Sequence, residues 1–181
     1  LAKEGIIKYL CGKIEFMYRG YLDDVDVAMM VHTASGEKIK FSCGLGSNGC
    51  LIKNVVFKGK AAHAGGAPHL GINALYAATN AISAVNSLRE TFRESDTIRF
   101  HPIITKGGTV VNAIPENVEM ESYVRGATIE AIKEANNKIN RALASSAAGM
   151  GCEMHIEDMH GMSPRMNDKN LFDIFHDTAA M

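Results

Sequence analysis

Between residues 50 and 158 the apolar residues of this chain change period in a fixed order, and few folds satisfy it. Leu51 to Lys58 reads as a strand that stops at Gly59. After a glycine-rich loop, Ile72, Leu75, Thr79, Ile82, Val85, Leu88 and Phe92 recur every three or four residues, which predicts an amphipathic helix of about five turns. Ile98, Phe100 and Ile104 then alternate with polar positions, with Pro102 favouring an edge strand or a bulge and Gly107-Gly108 ending the run. In Asn117 to Val124, Val118, Met120 and Val124 fall on one face and Glu119, Glu121 and Tyr123 on the other, and by the same parity Arg125 joins the acidic face. Thr128 is placed to cap a second helix bearing Ile129, Ile132, Ile139, Leu143 and Met150. Past Gly149 and Gly151, Cys152, Met154 and Ile156 alternate with Glu153, His155 and Glu157 in a last strand.

The order β-α-β-β-α-β predicts an α/β (α+β) chain built on a ferredoxin-like sandwich, a four-stranded antiparallel sheet with two helices on one face. The other face is then wet or covered from outside, and Arg125 stands on it. Partial α/β flanks surround this block. Asp23 to His32 looks like a buried strand ending in histidine, Lys38 to Cys43 like a second strand, and Lys169 onward like a helical tail with Leu171, Ile174 and Phe175 on one side. The expected division is 1–48, 49–160 and 161–181, with the central block inserted into a host domain. The start, Leu1-Ala2-Lys3-Glu4-Gly5, carries neither an initiator methionine nor a signal-peptide core, so the chain reads as a fragment.

Composition narrows the partners. Nineteen basic against twenty acidic residues give a formal charge of −1, with no basic cluster interleaved with aromatics, which argues against nucleic acid. Cys11, Cys43, Cys50 and Cys152 are widely spaced and read as idle thiols in a reducing, cytoplasmic setting. No stretch approaches the roughly 18 apolar residues of a membrane span.

Few residues carry candidate chemistry. His63, on the loop Lys60-Ala61-Ala62-His63-Ala64-Gly65-Gly66, is a polar loop residue, a metal ligand or a hydrogen-bond donor to a reacting group. Asn112, before Ala113-Ile114-Pro115, either contacts a ligand or caps a turn. Arg125 either grips an anion or pairs with surface acids such as Glu119 or Glu121, and His32 is either a strand-end residue or a metal ligand. His69, His101, His155, His160 and His176 share no spacing that would fix a metal. The helical stripes read as core, while the alanine-rich surfaces at Ala77-Ala78 and 144–148 would allow close contact between helices of two subunits.

The run Gly59 to Ala64 followed by Pro68 and Gly71-Ile72-Asn73-Ala74, then Lys106-Gly107-Gly108-Thr109-Val110-Val111-Asn112-Ala113-Ile114-Pro115, then Arg125-Gly126, resembles the lid, or dimerisation, domain of the metal-dependent aminoacylase and carboxypeptidase superfamily. It is most similar to the amidohydrolase branch with aminobenzoyl-glutamate and N-acyl amino acid hydrolases. The resemblance implies a metallopeptidase or amidohydrolase that cleaves an amide next to a free carboxylate, in an N-acyl amino acid, an aminoacyl-glutamate or a short peptide. It gives His63 the role of stabilising the oxyanion, Asn112 that of contacting substrate, and Arg125 that of holding the substrate carboxylate. It makes His32 a ligand to one of two divalent metal ions, zinc first, with manganese or cobalt as substitutes. The family's adjacent glutamates have no counterpart here, since Glu4 and Glu15 are each without an acidic neighbour, so the fragment alone is expected to hold no stable metal and to be inactive. The resemblance also implies a homodimer. The alternatives are a non-catalytic self-association module, favoured by an open sheet face and edge strands, and a small-molecule-binding ferredoxin-like module.

Overall fold

The computed structural model describes residues 4–9, 11–33, 44 and 46–179. In chain order its elements are α1 (Gly12–Tyr18), β1 (Gly46–Ser47), β2 (Gly49–Lys58), α2 (Ala74–Asn86), β3 (Arg99–Phe100), β4 (Ile103–Lys106), β5 (Asn117–Gly126), α3 (Ile129–Gly149), β6 (Glu153–Met162), β7 (Arg165–Met166) and α4 (Lys169–Ala179). They form two compact units, one from 1–47 with 165–181 and the other from 48–164.

The larger unit is the expected sandwich. Its sheet runs β3-β5-β2-β6, with β4 also on β5, and every pairing is antiparallel. The second strand of the motif is not continuous. It breaks into β3 and β4 at His101-Pro102, because proline has no N–H for the ladder, and a bulge follows between Ile104 and Lys106. The sheet therefore has five strand segments, with the broken pair sharing one edge. On β5 the side chains of Val118, Met120, Ser122 and Val124 are buried and those of Glu121, Tyr123 and Arg125 are exposed, so the period-two reading of this strand holds.

Both helices cover the same sheet face. The Asn73 side chain caps α2 by accepting from the N–H groups of Leu75 and Tyr76, and Thr128 caps α3 by accepting from that of Ala131. Helix α2 ends at Asn86 rather than running on to Phe92, as three-residue turns at Arg89–Thr91 and Glu94–Asp96 take over. Its buried stripe is Ala74, Ala77, Ala78, Ala81 and Val85, while Leu75, Ile82 and Phe92 pack partly buried around it. Small side chains let α2 lie close to α3, so Ala77, Ala78 and Ala147 are spent inside the unit and do not form the intersubunit surface their sequence suggested. From α3, Ile132, Ile139 and Leu143 fill the layer, each fully buried aliphatic side chain contributing about 2 kcal/mol.

One part of this interface is polar. Lys53, fully buried on β2, donates from Nζ to Asp158 Oδ1 of β6 at 2.5 Å and to Asn140 Oδ1 of α3 at 2.7 Å. Asn136 Nδ2 donates to Asp158 Oδ2 at 2.7 Å, while the buried Asn136 Oδ1 accepts nothing from the described residues. Lys53 and Asp158 are direct cross-strand neighbours, so the buried pair also marks the register of β6 on β2. Burial pushes the Lys53 ammonium below its ordinary pKa, and the adjacent carboxylate opposes that shift.

The smaller unit departs from its sequence reading. Helix α1 is organised by Glu15, whose carboxylate accepts from the N–H groups of Lys8 and Tyr9 and from Arg19 Nε at 2.6 Å. Residues 23–32 form no strand, and Met29 and Val31 are 86% and 94% exposed. An apolar run becomes a buried strand only against a neighbour, and none of the described residues pairs with it. The expected strand Lys38 to Cys43 lies outside the described residues. β1 pairs with β7, and α4 begins at Lys169 as expected, with the Asp168 carboxylate accepting from the Leu171 N–H.

Candidate functional site

Past the end of the sheet, the β2–β5 ladder continues through two loops. Gly59 N–H donates to Glu116 O at 2.8 Å, Ile114 N–H to Ala62 O at 2.9 Å and Ala64 N–H to Asn112 O at 2.9 Å, which sets His63 across from Ala113. Lys60 and Ile72 exchange both backbone hydrogen bonds at 2.9 Å and close the base of the His63 loop. A Cβ on Gly59 would run into the Ile72 carbonyl, so this closure requires glycine there. Backbone pairing thus sets Asn112 across from Ala64, one position from His63, and both His63 and Asn112 are exposed.

The imidazole of His63 is held by its own loop. Its Nδ1 accepts from the N–H of Gly66 at 2.9 Å and of Gly65 at 3.2 Å. A nitrogen that accepts carries no hydrogen, so these bonds leave Nε2 as the ring's N–H donor, aimed away from the 65–66 turn. A Cβ at Gly66 would sit 3.3 Å from Nδ1, tighter than an ordinary contact. Gly65 and Gly66, to which the sequence reading gave no part of their own, supply the N–H groups that hold the imidazole. Their signal was the spacing itself, two N–H donors at the second and third residues after a side-chain acceptor, as in turns closed by Asx or Ser.

Arg125 is elsewhere. It lies eight residues along β5 from Asn117, at the end of the sheet opposite the His63 loop, and that stretch of strand alone spans about 27 Å. Its guanidinium sits 5.3 Å from the centre of the Tyr123 ring, a cation–π contact that holds the fork on the open face. A cavity of about 190 Å³ lined by Val85, Arg89, Phe92, Glu94, Ile98 and Arg99 contains none of His63, Asn112 and Arg125.

His32 belongs to the smaller unit, is exposed, and donates from Nδ1 to Thr33 O at 2.6 Å. Among the described residues no group of three or more His, Cys, Asp or Glu is arranged to hold a metal ion. No helix among the described residues is long and apolar enough to cross a membrane.

Residues 45–151 match the family model described as M20_dimer, peptidase dimerisation domain. The chain is 31% identical over 146 residues to the Xaa-Arg dipeptidase of Mus musculus, covering 81% of this chain and 32% of that protein. It is 28% identical over 142 residues to the indole-3-acetyl-aspartic acid hydrolase of Enterobacter agglomerans, covering 77% of this chain and 32% of the relative. The chain thus spans about a third of the length of these curated relatives. Among solved structures, the aminobenzoyl-glutamate utilization protein from Klebsiella pneumoniae shares the fold with a TM-score of 0.67 and 22% identity, over 91% of this chain and 42% of that one.

Proposed function

The chain belongs to the peptidase dimerisation domain family, and from that premise we propose that it is the lid portion of a metal-dependent amidohydrolase or peptidase cleaving an amide next to a free carboxylate. In this reading 49–160 is the lid, and 1–48 and 161–181 are segments of the catalytic domain. The observation that carries it is the pair of backbone hydrogen bonds to His63 Nδ1, which leaves Nε2 to donate. A rigidly presented N–H suits the oxygen of a scissile amide as it gains negative charge, and one such donor is worth about 3 kcal/mol in the transition state. Asn112, whose backbone carbonyl pairs with Ala64 on the same loop, is the proposed second contact to the substrate. Arg125 holds the substrate carboxylate through its planar fork. In this reading the metal centre and the base come from the rest of the full-length protein, and the isolated chain is expected to be inactive.

In this reading the separation of these residues calls for a second copy. An extended dipeptide spans about 7 Å, whereas the strand between the His63 loop and Arg125 spans about 27 Å. One substrate therefore meets His63 and Asn112 of one copy and Arg125 of the other, as a two-fold dimer would arrange. Two full-length variants, His63→Ala and Arg125→Ala, should each be strongly impaired, yet mixed dimers should regain about half of wild-type turnover through their one undamaged site. Absence of recovery in verified mixed dimers would sink the shared-site reading. A non-catalytic association role remains the second reading, favoured by the open sheet face, where Ile103 and Tyr123 are exposed. Wild-type full-length protein without amide-hydrolase activity would favour it.

A further inference from the structure

We infer that the cavity bounded by the end of α2, the turns that follow it and β3 is a binding site for a small phosphate monoester. Three arginines line it, Arg89, Arg93 and Arg99, together with one acid, Glu94. Two of them are anchored side by side. Arg89 donates from Nη2 to Phe100 O at 3.2 Å and from Nε to Asn86 Oδ1 at 3.0 Å, while Arg99 donates from Nη1 to Ile98 O at 2.8 Å. The accepting carbonyls are two residues apart, about 7 Å along extended chain, so both guanidinium groups lie against one short stretch of backbone.

The charge gathered there is unspent. Among the described residues no carboxylate forms an ion pair with any of the three arginines, and the Arg93 side chain makes no hydrogen bond either. Three guanidinium charges against the one carboxylate of Glu94 leave a balance of +2. A phosphate ester carries nearly two negative charges at neutral pH, and its oxygens accept from several forks at once, whereas one carboxylate would offset half of that balance. The rest of the lining is largely apolar. Val85, Ile98 and Phe100 are buried and Phe92 half-buried, which suits an ester with an apolar body. At about 190 Å³ the cavity admits a phosphate bearing a group no larger than one ring and is too small for a nucleotide. Thr97, also in the lining, adopts φ 47°, which a β-branched residue rarely does, and Asn48 Nδ2 clamps it by donating to Oγ1 at 2.7 Å. Strain of this kind persists where the surroundings over-determine it, as they do around ligands.

Calorimetry on the full-length protein tests the site, with phenyl phosphate as the probe. Arg93→Ala is the cleanest variant, because its side chain bonds to no described residue and its loss should leave the melting temperature unchanged. It should weaken phenyl phosphate about tenfold, and Arg89→Ala should do the same. Arg141→Ala removes an exposed charge from α3 outside the cavity and should change the affinity by less than about twofold. Benzoate and inorganic phosphate should each bind wild type about tenfold more weakly than phenyl phosphate, the first for want of charge and the second for want of an apolar body. The inference is overturned if phenyl phosphate does not bind, if Arg93→Ala leaves its affinity unchanged, or if Arg141→Ala weakens it equally. Benzoate or inorganic phosphate binding as tightly as phenyl phosphate overturns the assignment to a phosphate monoester.

Discussion

The Lys53 cluster and the His63 loop are both polar, and they are built on opposite plans. Around Lys53 side chains hold side chains, with Asp158, Asn136 and Asn140 consuming one another's hydrogen bonds inside the helix–sheet layer. Around His63 the backbone does the holding, and Nε2 and the Asn112 side chain stay turned to solvent. Polar groups that serve the fold are bonded to one another within it, Asn136 Oδ1 excepted, whereas those we propose to serve a substrate are positioned but left unspent. Damage to the first region should therefore appear as lost stability and damage to the second as lost turnover.

The largest expected effect is on the exposed side of this contrast. In the full-length protein, His63→Ala should reduce turnover by about two to three orders of magnitude with the melting temperature nearly unchanged. A stable variant with near-normal turnover would make His63 an ordinary loop residue. Lys53→Ala should do the reverse. Leaving the Asp158 carboxylate without its cation costs about 3 kcal/mol in urea unfolding, at the low end for a buried pair because the Asp158 side chain keeps 25% exposure. A loss under about 1 kcal/mol would show the pair to be no more than a surface bridge.

Gly66→Ala is a milder change at the boundary between the two plans. Its new Cβ, 3.3 Å from Nδ1, must displace the ring by a few tenths of an ångström while leaving the N–H donor in place. Turnover should decrease about threefold to tenfold, and nitrogen NMR should still find the Nε2–H tautomer seen in wild type. An Nδ1–H ring in the wild-type protein would break the account of His63 outright.

What the sequence disclosed divides along similar lines. The strands and helices of the sandwich were legible because burial on one face imposes a period, and the caps at Asn73 and Thr128 are local chemistry. Asp23 to His32 misled because hydrophobicity alone does not supply a pairing partner. Lys53 shares its parity with Leu51, Val55 and Phe57, which hinted at burial, but its partner Asp158 is 105 residues away. The sequence reading grouped His63, Asn112 and Arg125, and the short interval from Asn112 to Arg125 hid the fact that Arg125 sits at the far end of the strand that begins at Asn117. Distance along a strand grows by about 3.4 Å per residue, so a short sequence interval there is a long spatial one.

The smallest expected effect tests the sign of the Lys53 environment. Desolvation is the leading influence and lowers the ammonium's pKa below its ordinary 10.5, with Asp158 opposing. In the window just below 10.5 the unfolded chain then binds more protons than the folded one, so this group makes stability rise with pH. Lys53→Met removes the titrating group at similar volume. The stability of wild type relative to Lys53→Met should therefore improve between about pH 8 and about pH 10 in paired urea titrations. A relative loss over that interval would mean that attraction to Asp158 outweighs burial, and that the cluster owes its place to the ion pair and not to the packing around it.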